Sequence, residues 1–133
     1  MCCIHKVCYA YFFFHSPCFT RDGYLAIADY DNHRIKIVKT DGTPLSIFGG
    51  KGTLEGQFKY PWAVTTTSNT ALFLLVVSDS DNHRLQVLMP DGSFVRTIGQ
   101  GEGDGKGQFE DPRGLCVTKS GLVGEFSTPE LHG

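Results

Sequence analysis

The chain has 133 residues, and 12 basic against 14 acidic side chains give it a formal net charge of −2. A length of this order is that of one domain, and 41% hydrophobic with 20% charged residues excludes an intrinsically disordered chain. Near-neutrality excludes nucleic-acid binding by bulk charge, so an anion-binding surface has to come from local placement of basic groups.

Residues 1–17 (MCCIHKVCYAYFFFHSP) form an atypical segment, rich in cysteine and aromatics, that reads as no regular element. Its apolar run, Tyr9 to Phe14, follows a single Lys6 and precedes no small-residue cleavage site, so a signal peptide is poorly formed. Cys2, Cys3, Cys8 and Cys18, with Cys116 far downstream, contain no Cys-x-x-Cys pair and no zinc-type spacing. They are expected to be reduced thiols of a cytoplasmic protein, with no metal and no cofactor. The apolar run at 71–77 (ALFLLVV) falls far short of the roughly 18–20 residues of a membrane span.

From residue 18 to 123 short apolar runs alternate with turn signals. Runs at 24–29 (YLAIAD) and 72–79 (LFLLVVSD) each end on an aspartate. The next runs start at Arg34 and Arg84. Ile35 and Ile37 alternate with Lys36, and Leu85, Val87 and Met89 with Gln86, the period of two expected of strands. Asp-Gly at 41–42 and 91–92 predicts type I′ hairpins, which need positive φ at both central residues. Further strands at 44–49 (PLSIFG) and 94–99 (FVRTIG) lead into glycine-rich loops, and runs at 62–66 (WAVTT) and 114–118 (GLCVT) follow prolines. The stretch at 65–75 (TTTSNTALFLL) carries about five residues more than a tight hairpin would need. Residues 124–133 leave the pattern as a divergent tail.

These elements repeat. Asp31-Asn32-His33-Arg34 matches Asp81-Asn82-His83-Arg84, and Asp41-Gly42 matches Asp91-Gly92. After one inserted residue, Gly56-Gln57-Phe58 matches Gly107-Gln108-Phe109, and Pro61 matches Pro112. Four antiparallel strands recurring every 40 to 50 residues or so are the signature of propeller blades. The expectation is an all-β partial β-propeller of about two to three blades, with blade ends near residues 50 and 100. It comprises the last three strands of one blade, a complete blade, and a first strand or two of a third. A propeller closes with about four blades at least. The chain is therefore expected to be a fragment of a longer protein, or to need further blades or self-association to bury its open flanks.

The ordered elements P-x-x-V, D-x-x-N-H-R, D-G and G-Q-F resemble the NHL repeat, with arginine at its third position, over residues 18–123. Gly-Gln-Phe-Lys-Tyr-Pro-Trp (56–62) and Asp-Pro-Arg-Gly (111–114) are most similar to TRIM-NHL proteins of the developmental-timing type that binds messenger RNA hairpins. The resemblance implies a six-bladed parent propeller and a role in translational repression. It also implies contact with an RNA hairpin for Arg113. Ubiquitin-ligase activity of such a parent would reside in a RING domain that these residues do not encode.

Alternating strand direction places Tyr60, Pro61, Trp62, Asp111, Pro112 and Arg113 on one face with Asp31 to Arg34 and Asp81 to Arg84. The Asp-Gly turns fall on the opposite face. The first face carries groups suited to RNA: Arg113, Lys59, Arg34 and Arg84 for phosphates, Tyr60 and Trp62 for stacking on bases. The competing reading makes Asp31, Asn32, His33, Arg34 and Asp81, Asn82, His83, Arg84 a structural motif that fixes one blade to the next, with Phe58 and Phe109 as plugs. Three functions follow: an RNA-hairpin reader binding neither DNA nor membrane, a protein-recruiting propeller of a ubiquitin ligase without an RNA role, or an NHL-type lyase. Histidines repeated in every blade suit structure better than catalysis, and the glycine-rich 101–107 (GEGDGKG) lacks the Gly-Lys-Ser/Thr ending of a phosphate loop. The chain is expected not to be an enzyme.

Overall fold

The computed structural model describes residues 18–20, 23–67, 74–99, 101–117 and 123–126, with backbone alone for residues 19, 116–117 and 123–126. The chain is an all-β partial propeller. Strands β1 (Cys18–Phe19), β2 (Leu25–Asp29), β3 (Arg34–Val38) and β4 (Pro44–Gly49) form one antiparallel sheet in the order of the chain. Strands β5 (Pro61–Thr66), β6 (Leu75–Asp79), β7 (Arg84–Leu88) and β8 (Phe94–Ile98) repeat it. A third sheet is made of β9 (Gly114–Val117) and β10 (Val123–Phe126). The first strands β1, β5 and β9 are in contact from sheet to sheet, as the inner strands of neighbouring blades are.

The first two sheets have equivalent registers: Asp29 pairs with Arg34 and Ile35 with Phe48, while Asp79 pairs with Arg84 and Leu85 with Ile98. Between the first two sheets lies the larger core, in which Ala26, Ala28, Ile35 and Ile37 meet Phe58, Val64, Leu75, Val77 and Leu88. A smaller core of Val76, Leu85, Val87 and Leu115 joins the second sheet to the third. Burial of each large aliphatic or aromatic side chain contributes about 1.5–3 kcal/mol, which makes these seams the main source of cohesion. Phe58, fully buried, lies against Gly49, whose φ of +116° and lack of a side chain let the ring approach the start of β3.

Three expectations need correction. The first sheet has a first strand, β1, so it holds four strands rather than the last three; Cys18 is buried there with its Sγ 3.9 Å from Thr66 Oγ1. The tail at 124–133 is not wholly divergent, because β10 reaches Phe126 and pairs with β9 from Val123↔Val117 to Phe126↔Gly114. The Asp-Gly hairpins are not type I′. Gly42 N–H donates to the Lys39 carbonyl and Lys39 N–H to that of Thr43; within the turn only Gly42, at +93°, has positive φ. That is a type I turn closed by a glycine bulge. The Asp41 carboxylate accepts from Thr43 N–H at 2.9 Å, which favours the right-handed conformation for Asp41; Asp91 and Ser93 repeat the contact at 2.8 Å. The segment 1–17, most of the long 65–75 connection and residues 127–133 lie outside the described residues.

Candidate nucleic-acid interface

The repeated Asp-Asn-His-Arg tetrapeptide folds around a left-handed histidine. Tyr30–Asn32 and Ser80–Asn82 each make one turn of 3-10 helix, capped by His33 (φ 54°, ψ 44°) and His83 (φ 51°, ψ 47°). This conformation turns each ring toward the next sheet. His33 Nδ1 accepts from Tyr60 N–H at 3.1 Å, and His83 Nδ1 from Asp111 N–H at 3.2 Å. An Nδ1 that accepts leaves the proton on Nε2 of a neutral imidazole. Tyr60 and Asp111 are themselves left-handed, at φ 55° and 47°. The histidines thus clasp each sheet to the loop that begins the next one.

The arginines complete that lock. Arg84 Nε meets Asp79 Oδ2 at 2.7 Å, its Nη1 donates to the Thr53 carbonyl, and its Nη2 donates to those of Leu54 and Gln57. Asp79, fully buried, also accepts from Asn82, Gln86 and the Lys59 amide. Its carboxylate oxygens are thereby satisfied by hydrogen bonds, as a buried charge requires. Arg84, expected at a phosphate, is instead tied to the protein backbone. Arg34 binds Asp29 through Nε at 2.8 Å and is more exposed, at 36% of its side-chain surface against 15% for Arg84. Burial pushes the Asp29 carboxyl up, but hydrogen bonds from Arg34 and Asn32 and the charges of Arg34 and Lys36 outweigh it and hold it below the usual value. Asp31 and Asp81 are exposed on the same face.

The aromatic residues assemble beside the first histidine. Tyr60 lies 4.4 Å from His33 and 4.9 Å from Tyr30, ring centre to ring centre, and Tyr30 meets Trp62 edge-on at 5.4 Å. Arg113 stands over the Trp62 ring, 4.6 Å from its centre. Its Nε is buried without a hydrogen-bond partner among the described residues, and no carboxylate there pairs with it. The carbonyl of Arg113 accepts from Ser78 Oγ at 2.7 Å and that of Pro112 from Ser80 Oγ at 2.6 Å, which anchors this turn to the second sheet. The structure therefore gathers Arg113, Trp62 and Tyr60 into one cluster, with Lys59 next to it in the same loop.

Tyr30 belongs to this cluster and was not among the expected residues. Its signal in the sequence is a mismatch: Tyr30 stands where the second copy has Ser80. Burial raises its phenol above the ordinary value, the Asp81 charge adds to that, and the Arg113 charge works against it. No helix among the described residues is long and apolar enough to cross a membrane, and no three His, Cys, Asp or Glu side chains there are grouped to hold a metal ion. No protein-family model and no curated protein matches the chain.

Proposed function

We propose that the chain is part of an NHL-type propeller, resembling those of TRIM-NHL proteins, that reads RNA stem-loops through the face bearing Tyr30, Tyr60, Trp62 and Arg113. The observation that carries the reading is Arg113: a guanidinium held on an indole ring, with no carboxylate partner among the described residues, beside two tyrosines. A cation without a counter-ion among the described residues attracts phosphate, and the half-buried aromatic rings next to it offer faces on which unpaired bases can stack. Lys59 and Arg34 would add phosphate contacts; Arg84 serves the blade lock. In this reading the protein acts in the cytoplasm as a post-transcriptional regulator, performs no catalysis itself, and is completed by further blades or another copy. The exposed Leu45 and Ile47 on β4 suit such an added neighbour.

The test is binding of a fluorescein-labelled pool of stem-loop RNAs with randomised loops to the full-length protein. Arg113→Ala should weaken binding by at least about tenfold, the order of one lost charged hydrogen bond with its stacking. Capture of a protein partner that is indifferent to Arg113→Ala, with no RNA bound, would favour the protein-recruiting alternative.

A further inference from the structure

The two loops that join consecutive blades occupy equivalent places but carry opposite charge. Lys51 bridges Phe58 as Glu102 bridges Phe109, both in parallel. Tyr60 and Asp111 both donate N–H to the clasping histidine. Between these anchors Lys59 stands where the second loop has Glu110, and two residues after the clasp Trp62 stands where the second has Arg113. Residues 50–60 hold two lysines against one glutamate, net +1, and residues 101–111 hold one lysine against four acids, net −3. The contrast reaches the histidines: Glu102 Oε1 and Asp111 Oδ1 each lie 3.7 Å from a His83 ring nitrogen.

We propose, on the basis of the RNA reading, that this charge reversal sets the path of the bound strand. The sugar–phosphate backbone crosses the first seam, over Lys51, Lys59 and the partly exposed Arg34 and Lys36, while the acidic loop 101–111 repels it from the second seam. Arg113 is then the last cation along that path, at the boundary of the two fields. Net positive charge in one loop focuses a polyanion there, and net negative charge in the loop beside it disfavours a second register. The pairing of Lys36 and Arg34 with Asp29 neutralises one of those two charges, so the lysines of the loop carry most of the attraction.

The experiment is equilibrium binding of the same stem-loop pool over a range of salt, to the full-length protein and to two double charge reversals. Lys51→Glu/Lys59→Glu should weaken binding and flatten the salt dependence by about 1.4 in log–log slope, roughly 0.7 for each lost single-strand phosphate contact. Glu102→Lys/Glu110→Lys should tighten binding and steepen the slope. Photocrosslinking with thiouridine-substituted RNA should label residues 50–60 and spare 101–110. If Arg113→Ala weakens binding but neither double reversal moves it, or if crosslinks fall on 101–110, the path is wrong and RNA reading survives. If the unaltered protein binds no RNA, both proposals fall together.

Discussion

The corner formed by Asp29, Asn32 and Arg34 and the one formed by Asp79, Asn82 and Arg84 share their residue types and much of their geometry, yet differ in setting. In the second, the loop at 51–58 passes in front of the arginine and supplies carbonyls from Thr53, Leu54 and Gln57, while Gln86 fills the gap between Asp79 and the loop with three hydrogen bonds. In the first, Lys36 replaces Gln86 and approaches Asp29 only to 3.8 Å, and the side chain of Asp29 is 21% exposed against 0% for Asp79. The same letters make a buried lock where a neighbouring loop excludes water, and a surface ion pair where none of the described residues does. Burial, rather than motif identity, decides how much the motif contributes.

The largest test of that contrast is removal of each carboxylate charge. Asp79→Asn leaves Arg84 without its counter-ion in a dry site and should cost about 3–5 kcal/mol in urea unfolding. Asp29→Asn, in a corner screened by solvent, should cost about 1 kcal/mol or less. Equal losses would break the comparison. Next come the two plugs. Phe58→Ala should cost about 3–5 kcal/mol, because the ring is wholly buried in the larger core. Phe109→Ala should cost clearly less, since that ring is only partly buried against the smaller one.

The smallest effect expected is on pH dependence. The folded-state pKa of Asp29 is depressed, so its contribution is fully present above the unfolded value of about 3.9 and is lost as pH falls through the lower folded value. Asp29→Asn should therefore make the acid limb of the stability curve shallower below about pH 4, as read from thermal unfolding across pH. Asp41 and Asp91, lowered by hydrogen bonds from Thr43 and Ser93, add to that limb with the same sign. An unchanged limb in Asp29→Asn would mean that its pairing with Arg34 is not maintained in solution.

Strand order, the place of the tetrapeptide between second and third strands, and the sharing of one face by His33, Tyr60, His83 and Arg113 were legible in the sequence. They follow from alternation and from the count of strand reversals, which are local and periodic. β1 was not legible, because a strand of two residues offers no period to detect. The type I turn at Asp41 was hidden because Asp-Gly is compatible with both turn types, and the side-chain bond to Thr43 chooses between them.

By itself, then, the sequence determined a repeated four-stranded sheet and which residues lie on which face. Only the tertiary structure decided that Arg84 is consumed by carbonyls of a loop some thirty residues away while Arg113 rests on Trp62 with no acidic partner among the described residues, and that Tyr30 joins the cluster. Side-chain pairing across a seam depends on how two sheets pack, and no periodicity within either sheet encodes that.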